Sequence, residues 1–279
     1  MIVFPSAKIN LGLNIVSKRE DGYHNIESVM LPIPLCDALE VKLMDERFPC
    51  QGDCDIKVTG GDIECQDADN LVVRAYNMIA EDYKLPRVHI HLHKQIPSQA
   101  GLGGGSSDAS YMIRLLDERF RLNMGIAKME DYASRLGADC AFFITAQPAF
   151  ATGIGNQLSP ISREDFSLKG LYLVLVKPQV AVSTKEAYAK VAPKEPQKCC
   201  RDIVLQPIET WRDELYNDFE PSVFSVHPIL GDIKEALYRT GAVYAQMSGS
   251  GSTVFGLFKQ KPEMAAFDAF NAYTEVVRL

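Results

Sequence analysis

The sequence lacks the features that mark membrane, secreted and disulfide-stabilised proteins. No apolar run approaches the roughly 18 residues that a membrane span requires, and the start at Met1 has no basic segment followed by an apolar one. The seven cysteines include no Cys-x-x-Cys pair, which disfavours both a disulfide framework and a zinc ribbon. We therefore expect a reduced, cytoplasmic protein with no membrane partner.

An excess of positive charge is also absent. The formal net charge is −7 at pH 7, which argues against non-specific nucleic-acid binding and requires local positive charge or helix ends to meet an anionic ligand.

With 279 residues, 47% of them hydrophobic, the chain can bury a large core, and its length favours two domains over one. Strand-like and helix-like segments are interleaved, which predicts a mixed α and β architecture.

The most informative segment is the glycine-rich run over 97–108. Before it, apolar residues alternate with histidines over 88–93, as in a half-buried strand, and after it apolar residues recur at helical spacing over 109–116. The predicted order is strand, glycine loop, helix. Glycines allow close backbone approach, and free amides at a helix start attract anions, so the segment predicts a phosphate site.

The glycine run matches neither of two common phosphate-binding motifs. A P-loop ends in Gly-Lys-Ser or Gly-Lys-Thr, and no lysine lies between Gly101 and Ser107. A dinucleotide-binding loop has a third glycine where Ser106 stands. The alternative is a flexible surface loop, which gives no reason for a helix to start directly afterwards. The candidate caps of that helix are Ser106, Ser107 and Asp108.

Two polar residues near the N-terminus form a second candidate site. Apolar residues at 9, 11, 13 and 15 alternate with polar residues and glycine, which predicts a strand with one face in the core. Lys8 and Asn10 then project together from the other face. A solvated sheet edge is the alternative interpretation of this pair.

A third candidate is Asp139, a carboxylate in the otherwise apolar stretch 136–144. It follows a predicted helix from about Met129 to Leu136 that ends at Gly137. Such a carboxylate is costly unless it has a partner or a task. It can instead cap the next short helix, and the local sequence leaves both interpretations open.

Two further patterns allow more than one interpretation. The glycine-serine segment 247–252 precedes a predicted strand at 253–258, and it is either a point of close contact with a neighbour or ligand or a plain hairpin turn. Cys50, Cys54 and Cys65, like the alternating histidines, could ligate a metal. The cysteines lack a fourth ligand at matching spacing and a hydrated strand face explains the histidines, so we expect no metal site of this kind.

Together these motifs resemble the GHMP small-molecule kinases over nearly the whole chain. The glycine run marks the superfamily, whereas the lysine-asparagine start combined with Asp-Gly-Tyr-His at 21–24 resembles the branch that acts on a cytidylyl methylerythritol. The segments that carry the resemblance, in the family's order and spacing, are Pro5 to Leu11, Asp21 to His24, Asp69 to Leu71, Pro97 to Ser107, Gly137 to Asp139 and Gly249 to Gly251.

The resemblance implies an α+β, two-domain GHMP kinase fold. A ribosomal-protein-S5-domain-2-like α/β domain would cover residues 1–160, and a C-terminal ferredoxin-like domain would cover residues 161–279. It also implies that the protein uses ATP and Mg2+ to phosphorylate the 2-hydroxyl of its small-molecule substrate and releases ADP. Both a monomer and a homodimer are compatible with it.

The resemblance further implies roles for individual residues. Asp139 would accept the proton of the substrate hydroxyl or only orient it, and Lys8 would stabilise this carboxylate and the moving phosphoryl group, so the two are expected to converge. The implied substrate contacts are Asn10 and Thr184 to the erythritol portion, His24 to the cytosine edge, and Tyr23 and Tyr188 to the cytosine face. The implied ATP contacts are Asn70, Lys94, Pro97, Ser98, Gln99, Ala100, Gly101, Leu102, Gly103, Gly104, Gly105, Ser106 and Ser107.

The chain departs from the family pattern in two places, and two other functions stay open. The stretch 140–143 reads Cys-Ala-Phe-Phe, where valine and proline are typical of the family, and the segment 48–65 has no match. A GHMP kinase for another alcohol would share the glycine run but would not need a cytidine pocket. A non-catalytic nucleotide-binding protein on the same scaffold would be expected to lack Lys8 or Asp139, and both are present.

Overall fold

The computed structural model describes residues 1–50, 52–61, 69–162, 164 and 166–279. Cys65, one of the three cysteines considered as metal ligands, lies outside these residues. Within the described ranges, no helix has the length and apolar character needed to cross a bilayer.

The strands are β1 (Ile2–Val3), β2 (Ser6–Lys18), β3 (His24–Cys36), β4 (Ala38–Leu43), β5 (Cys54–Gly60), β6 (Val88–Lys94), β7 (Ala149–Thr152), β8 (Gln157–Pro160), β9 (Tyr172–Lys177), β10 (Tyr244–Met247), β11 (Val254–Phe258) and β12 (Tyr273–Arg278).

The helices are interleaved with these strands along the chain, as predicted. The α-helices are α1 (Leu71–Tyr83), α2 (Gly104–Phe120), α3 (Gly125–Leu136), α4 (Cys140–Thr145), α5 (Thr184–Tyr188), α6 (Cys200–Val204), α7 (Trp211–Glu214), α8 (Glu220–Val226) and α9 (Pro228–Arg239). Ile208–Thr210 and Met264–Phe270 are 3-10 helices.

The chain divides into two compact units whose segments are interleaved. The first consists of Met1–Ala7, Leu35–Ser98 and Gly103–Gln147, and the second of Lys8–Pro34, Gln99–Leu102 and Pro148–Leu279. The domain limits 1–160 and 161–279, which divide the chain into two consecutive pieces, stay a prediction.

The first unit contains a four-stranded sheet in the order β1-β4-β6-β5. β5 and β6 run parallel, and the other neighbours are antiparallel. Val88, Ile90 and Leu92 of β6 are buried, so the half-buried strand predicted there is confirmed. The core of the unit joins these side chains to the apolar faces of α1 and α2.

The histidines of β6 are hydrogen-bonded to β5. His89 Nδ1 lies 2.8 Å from Asp55 Oδ1. Thr59 Oγ1 lies 2.9 Å from His91 Nε2 and 3.0 Å from His93 Nδ1. All three imidazoles are partly buried, so hydration alone does not explain why histidines stand on this face of β6. Hydrogen bonds to side chains of β5 help to satisfy the ring nitrogens.

The helix predicted over 109–116 is present as part of α2, which buries Ala109, Met112, Ile113 and Leu116. Its predicted caps are wrong. The chain enters α2 through Gly103, whose φ of 70° lies in the left-handed region, and no side chain caps the helix. Residues 106–108 therefore lie inside the first two turns.

The second unit contains two four-stranded sheets, in the orders β2-β3-β7-β8 and β10-β11-β9-β12. In the sheet β10-β11-β9-β12, the strands β9 and β11 lie in the centre and all neighbours are antiparallel. Along the chain, helices separate β9 from β10, and a 3-10 helix separates β11 from β12. This is the predicted ferredoxin-like arrangement. Helices and largely antiparallel sheets thus occur in both units, and the α+β fold class is confirmed.

Candidate active site

The glycine run is anchored at residues 100–102, within the second unit. Three consecutive carbonyl oxygens accept hydrogen bonds: Ala100 O from Thr253 N at 3.2 Å, Gly101 O from Ser248 Oγ at 2.8 Å, and Leu102 O from Lys8 N at 2.9 Å. The alternative of a flexible surface loop is therefore wrong for this part of the run. The glycine-serine segment 247–252 fits both interpretations given for it. It is a hairpin connection, because it joins the antiparallel strands β10 and β11, and it is a point of close contact, because it packs on the backbone at Gly101.

Gly101→Ala is expected to lower the free energy of unfolding by more than about 1 kcal/mol. Gly101 has a φ of 71°, and a Cβ there would lie 2.0 Å from the backbone oxygen of Ser248, so the loop would have to move. Urea unfolding measures the effect. The matched control is Gly105→Ala inside α2, where the nearest atom to a Cβ is Leu71 Cδ1 at 3.9 Å. Equal stability of the two variants would contradict this account of the loop.

The first turn of α2, in the first unit, offers donors to an anion. No side chain caps the helix and no acidic residue lies in its first turn, so amides that have no partner within a helix can bind a ligand. Ser107 Oγ is buried and has no hydrogen-bond partner among the described residues. A Cβ at Gly104 would lie 3.0 Å from Ile96 Cγ2, so the helix start packs closely on the residues that follow the preceding strand. These features fit a phosphate ligand.

Lys94 lies at the end of β6 and is 6% exposed. Its ammonium donates to Asp37 Oδ2, and to Asp108 Oδ2 at 2.6 Å. Burial lowers the pKa of Lys94, but the two carboxylates outweigh it and the net shift is upward. Burial also raises the pKa of Asp108 to about 7, although Lys94 opposes this. The ammonium therefore has a structural role, and the predicted proximity of Lys94 to the adenosine stays a prediction.

Asn70, the other predicted adenosine contact, is the N-cap of α1. Its Oδ1 accepts a hydrogen bond from Val72 N at 2.9 Å, and the residue is 7% exposed. The sequence did not single it out as a cap, although asparagine is a preferred residue at that position. Its contact with a nucleotide stays a prediction.

Lys8 and Asn10 are buried, with 3% and 1% exposure, so the solvated-edge interpretation is wrong. The reason is that β2 is covered along its free side: Lys8 N bonds to Leu102 O, and Leu13 N bonds to Tyr216 O at 2.9 Å. Backbone segments far away in the sequence thus pair along this edge, and β2 is not an exposed edge of its sheet.

A chain of hydrogen bonds fixes the Lys8 ammonium. Lys8 Nζ donates to Asn10 Oδ1 at 2.5 Å, and Asn10 Nδ2 donates to Ser28 Oγ at 2.8 Å. Ser28 Oγ in turn donates to Gly12 O at 2.6 Å. Ser28 was not predicted as part of the site, and its contribution depends on β3 pairing beside β2.

Asp139 is the N-cap residue of α4, but its side chain makes no capping hydrogen bond. Asp139 therefore stands at the predicted cap position, but its carboxylate does not accept the predicted hydrogen bond from an amide of α4. The helix that follows is fixed by burial of Phe142 and Phe143, whose rings lie 5.0 Å apart, and by Ser110 Oγ, which donates to Cys140 O at 2.7 Å. Asp139 belongs to the first unit and Lys8 to the second, and their convergence stays a prediction.

His24 and Tyr188, two of the predicted substrate residues, lie together in the second unit. Their rings stack at 4.6 Å with an interplanar angle of 20°, and Tyr188 also packs edge-on against Phe219 at 4.8 Å. Thr184 is the exposed first residue of α5, and the Tyr23 ring beside His24 is 63% exposed. Aromatic faces and an imidazole are thus presented close to one another.

One residue that sequence reasoning missed supports the helix that carries Tyr188. His227 Nε2 lies 2.8 Å from Glu186 Oε1 on α5. A second, Asn217, donates from Nδ2 to Met247 O and to Gly249 O, both at 2.8 Å, and so holds the glycine-serine segment. Neither stands in a motif, and only the tertiary fold brings them to these places.

Two sequence profiles match the chain: the GHMP kinases N terminal domain over residues 70–147 and the GHMP kinases C terminal over residues 201–278. The 4-diphosphocytidyl-2-C-methyl-D-erythritol kinase of Bacteroides fragilis is 49% identical over 282 residues, which cover 99% of this chain and 100% of that protein. The protein of the same name from Parabacteroides distasonis is 50% identical over 260 residues, covering 93% and 92%. The chain belongs to the 4-diphosphocytidyl-2-C-methyl-D-erythritol kinase family.

Solved structures agree with membership of this GHMP kinase family. A crystal structure of 4-(cytidine 5'-diphospho)-2C-methyl-D-erythritol kinase has a TM-score of 0.80 and 28% identity, covering 99% of this chain and 98% of that chain. The mevalonate kinase of Methanococcus jannaschii has a TM-score of 0.70 at 14% identity over 100% of this chain and 98% of that chain, a likeness that shows the fold alone. The resemblance inferred from the motifs is confirmed.

Proposed function

We propose that this chain transfers the γ-phosphoryl group of ATP to the 2-hydroxyl of 4-diphosphocytidyl-2-C-methyl-D-erythritol and releases ADP. The observation that carries the proposal is the 49% identity, over the full length, to a protein named for that substrate. The buried Lys8, the anchored glycine run and the partly buried Asp139 support it with groups suited to phosphoryl transfer.

The glycine run would hold the phosphates of ATP. Of the backbone amides over 102–107, Ser107 N already donates to Gly103 O at 2.8 Å, and the others would donate to phosphate oxygens, since the start of α2 has no side-chain cap. Mg2+ would be held by the phosphates and the Ser107 hydroxyl, whose buried oxygen has no partner among the residues described. When bound there, the cation neutralises charge on the phosphates.

Asp139 and Lys8 would serve the transfer itself. The 2-hydroxyl oxygen forms a bond to the γ-phosphorus while the bond from that phosphorus to the bridging oxygen of ADP breaks, and the hydroxyl proton passes to Asp139. The Lys8 ammonium, fixed by its bond to Asn10, would stabilise the charge on the phosphoryl oxygens and on the carboxylate. A loose transition state asks little of a base, so orientation of the hydroxyl is the alternative role of Asp139.

The cytidine would be recognised around His24. Stacking on Tyr188 holds the imidazole in one plane, so its ring nitrogens would bond to the edge of the cytosine, while the exposed Tyr23 ring and Tyr188 would stack on its face. Asn10 and Thr184 would contact the erythritol portion. Because stacking tolerates every base, the hydrogen bonds must supply the discrimination.

Tyr188→Ala is expected to weaken CMP binding by about 5- to 150-fold, the range that corresponds to a lost stacking contact of roughly 1–3 kcal/mol. Removal of the ring also frees the His24 imidazole that it holds. Isothermal titration with CMP measures the effect, and ATP affinity should stay unchanged. The control is Tyr216→Ala, an exposed tyrosine of the same unit, and equal losses in both variants would contradict this pocket.

The reaction is tested by ADP formation with 4-diphosphocytidyl-2-C-methyl-D-erythritol, homoserine or mevalonate as the acceptor. We expect turnover with the first substrate only. Turnover with homoserine or mevalonate instead would replace the proposal by another GHMP kinase activity. Binding of ATP without turnover of any acceptor would favour a non-catalytic nucleotide-binding protein.

A further inference from the structure

Three potential metal-ligand atoms lie together in the second unit, among residues to which no role in the reaction is assigned. The carboxylate of Glu27 on β3 and the thiols of Cys199 and Cys200 provide one ligand atom each, and the three atoms lie within 4.8 Å of one another. It is the only such group of three or more found in the described part of the chain. Glu27 and Cys199 are partly buried, and Cys200 is fully buried.

The Glu27 carboxylate is held in place by its own partners. Its Oε1 accepts hydrogen bonds from Asn14 Nδ2 at 2.8 Å and from Cys200 N at 3.1 Å. The second bond fixes the start of α6, and with it the adjacent thiols, against β3. Ligands that are oriented by surrounding hydrogen bonds are typical of sites that bind a metal.

The position of Cys200 is set by close packing as well. A Cβ on Gly12 would lie 2.9 Å from Cys200 Cβ, so the absence of a side chain at Gly12, whose φ is 70°, lets β2 pass directly over this cysteine. Thiolate is the form in which a cysteine binds metal.

We propose that Glu27, Cys199 and Cys200 form a binding site for a thiophilic divalent cation, with Zn2+ as the natural occupant. Two sulfurs and one carboxylate oxygen favour Zn2+ over Mg2+ or Ca2+, which take oxygen ligands. Tetrahedral Zn–S bonds of about 2.3 Å place two sulfurs roughly 3.8 Å apart, so ligand atoms within 4.8 Å of one another need only small side-chain rotations. Water would complete the coordination at an open fourth position.

The site would tie the start of α6 to β3 through metal bonds in addition to the existing hydrogen bond. Binding releases the thiol protons, because both sulfurs coordinate as thiolates. The ligands of this cation differ from those proposed for Mg2+, since Glu27 and both cysteines belong to the second unit and Ser107 to the first.

The experiment is equilibrium dialysis of the full-length, reduced and chelator-stripped protein against buffered Zn2+, with metal analysis of the protein. We expect one zinc per chain. Cd2+ titration, followed by the ultraviolet thiolate-to-cadmium absorption, should report two thiolates per bound cation. Zn2+ should also raise the midpoint of thermal unfolding of the unmodified protein, because a ligand that binds the folded state stabilises it.

Two variants test the ligands without disturbing the buried Cys200. Cys199→Ser and Glu27→Gln should each weaken Zn2+ binding by more than the roughly 10- to 100-fold typical of changes outside the first shell of ligands. Glu27→Gln retains an oxygen that can accept from Asn14 and Cys200. The matched control is the double variant Cys50→Ser/Cys54→Ser, which changes two cysteines of the other unit and should bind Zn2+ like the unmodified protein.

Each other outcome would overturn the site. Unmodified protein that takes up no stoichiometric zinc excludes it. Zinc retained at full affinity by Cys199→Ser shows that the thiol is not a ligand. Zinc lost from the Cys50→Ser/Cys54→Ser protein, and kept by Cys199→Ser and Glu27→Gln, assigns the metal to the other cysteines.

Discussion

Asp139→Asn is expected to lower kcat by about 10²- to 10⁴-fold with little change in the KM for ATP. An amide keeps the size of the side chain but cannot take the proton of the substrate hydroxyl. Asp139 precedes α4 without capping it through its side chain, so the substitution removes no cap of that helix. The loss would therefore belong to the chemical step.

The measurement is ADP release coupled to a spectroscopic readout, at saturating ATP and varied 4-diphosphocytidyl-2-C-methyl-D-erythritol. Asp131→Asn is the matched control, since it makes the same change at an exposed position on α3 and should leave kcat unchanged. A fully active Asp139→Asn protein would exclude the base and leave the orienting role alone.

The predicted convergence of Lys8 and Asp139 is tested by combining the two changes. Groups that act as a unit have grossly non-additive effects, because the second substitution removes a contribution that the first has already abolished. We expect Lys8→Met/Asp139→Asn to be little slower than the slower single variant. Effects on kcat that multiply would show that the two residues act independently.

Local patterns predicted the elements that surround the glycine run. The alternation over 88–93 and the helical spacing over 109–116 both appear as predicted, since periodicity reports directly which faces of an element are buried. The entry into α2 was not predicted correctly, because a left-handed glycine at Gly103 replaces the side-chain cap that the neighbouring serines suggested.

Burial of polar residues could not be predicted in the same way. Lys8 and Asn10 look like a hydrated edge in their own segment, but that edge is paired with backbone contributed by Leu102 and Tyr216. Glu27 and Cys200, which bond to each other, are 173 positions apart. No periodicity within one element records such partners, so tertiary contact decides whether a polar side chain is solvated or enclosed.

The buried cluster of Lys94, Asp37 and Asp108 shows most clearly that tertiary contacts enclose polar side chains. Its two carboxylates should differ sharply in how much each contributes to the free energy of unfolding. Asp37→Asn is expected to lower the free energy of unfolding by about 3–5 kcal/mol, as when one partner of a buried ion pair is removed. Asp37 Oδ1 accepts from Gln95 N at 2.5 Å and from Ile96 N at 2.8 Å, while Oδ2 accepts from Lys94. An amide that keeps the first two bonds turns its NH2 group toward the ammonium.

Asp108→Asn is the matched substitution on the other side of the same ammonium, and it should cost much less at neutral pH. Asp108 Oδ2 accepts from Lys94, but its buried Oδ1 has no hydrogen-bond partner among the described residues. An asparagine can present its oxygen to Lys94 and removes a carboxylate whose ionisation is opposed by burial and by Asp37. Urea unfolding of both variants at pH 7 gives the comparison, and equal costs would contradict the unequal roles.

The pH dependence of Asp108→Asn provides a second, independent test. Burial, more than the repulsion from Asp37, raises the pKa of Asp108 to about 7 in the folded protein, against about 3.9 for an unperturbed aspartate. Between about pH 3.9 and about pH 7, the folded state therefore binds a proton that the unfolded state has released. The stabilisation that this group contributes is complete below about pH 3.9 and is lost as the pH rises to about 7. Because asparagine does not titrate, the stability gap between the unmodified protein and Asp108→Asn should narrow from pH 5 to pH 8. A gap that stays constant or widens would contradict the raised pKa of Asp108.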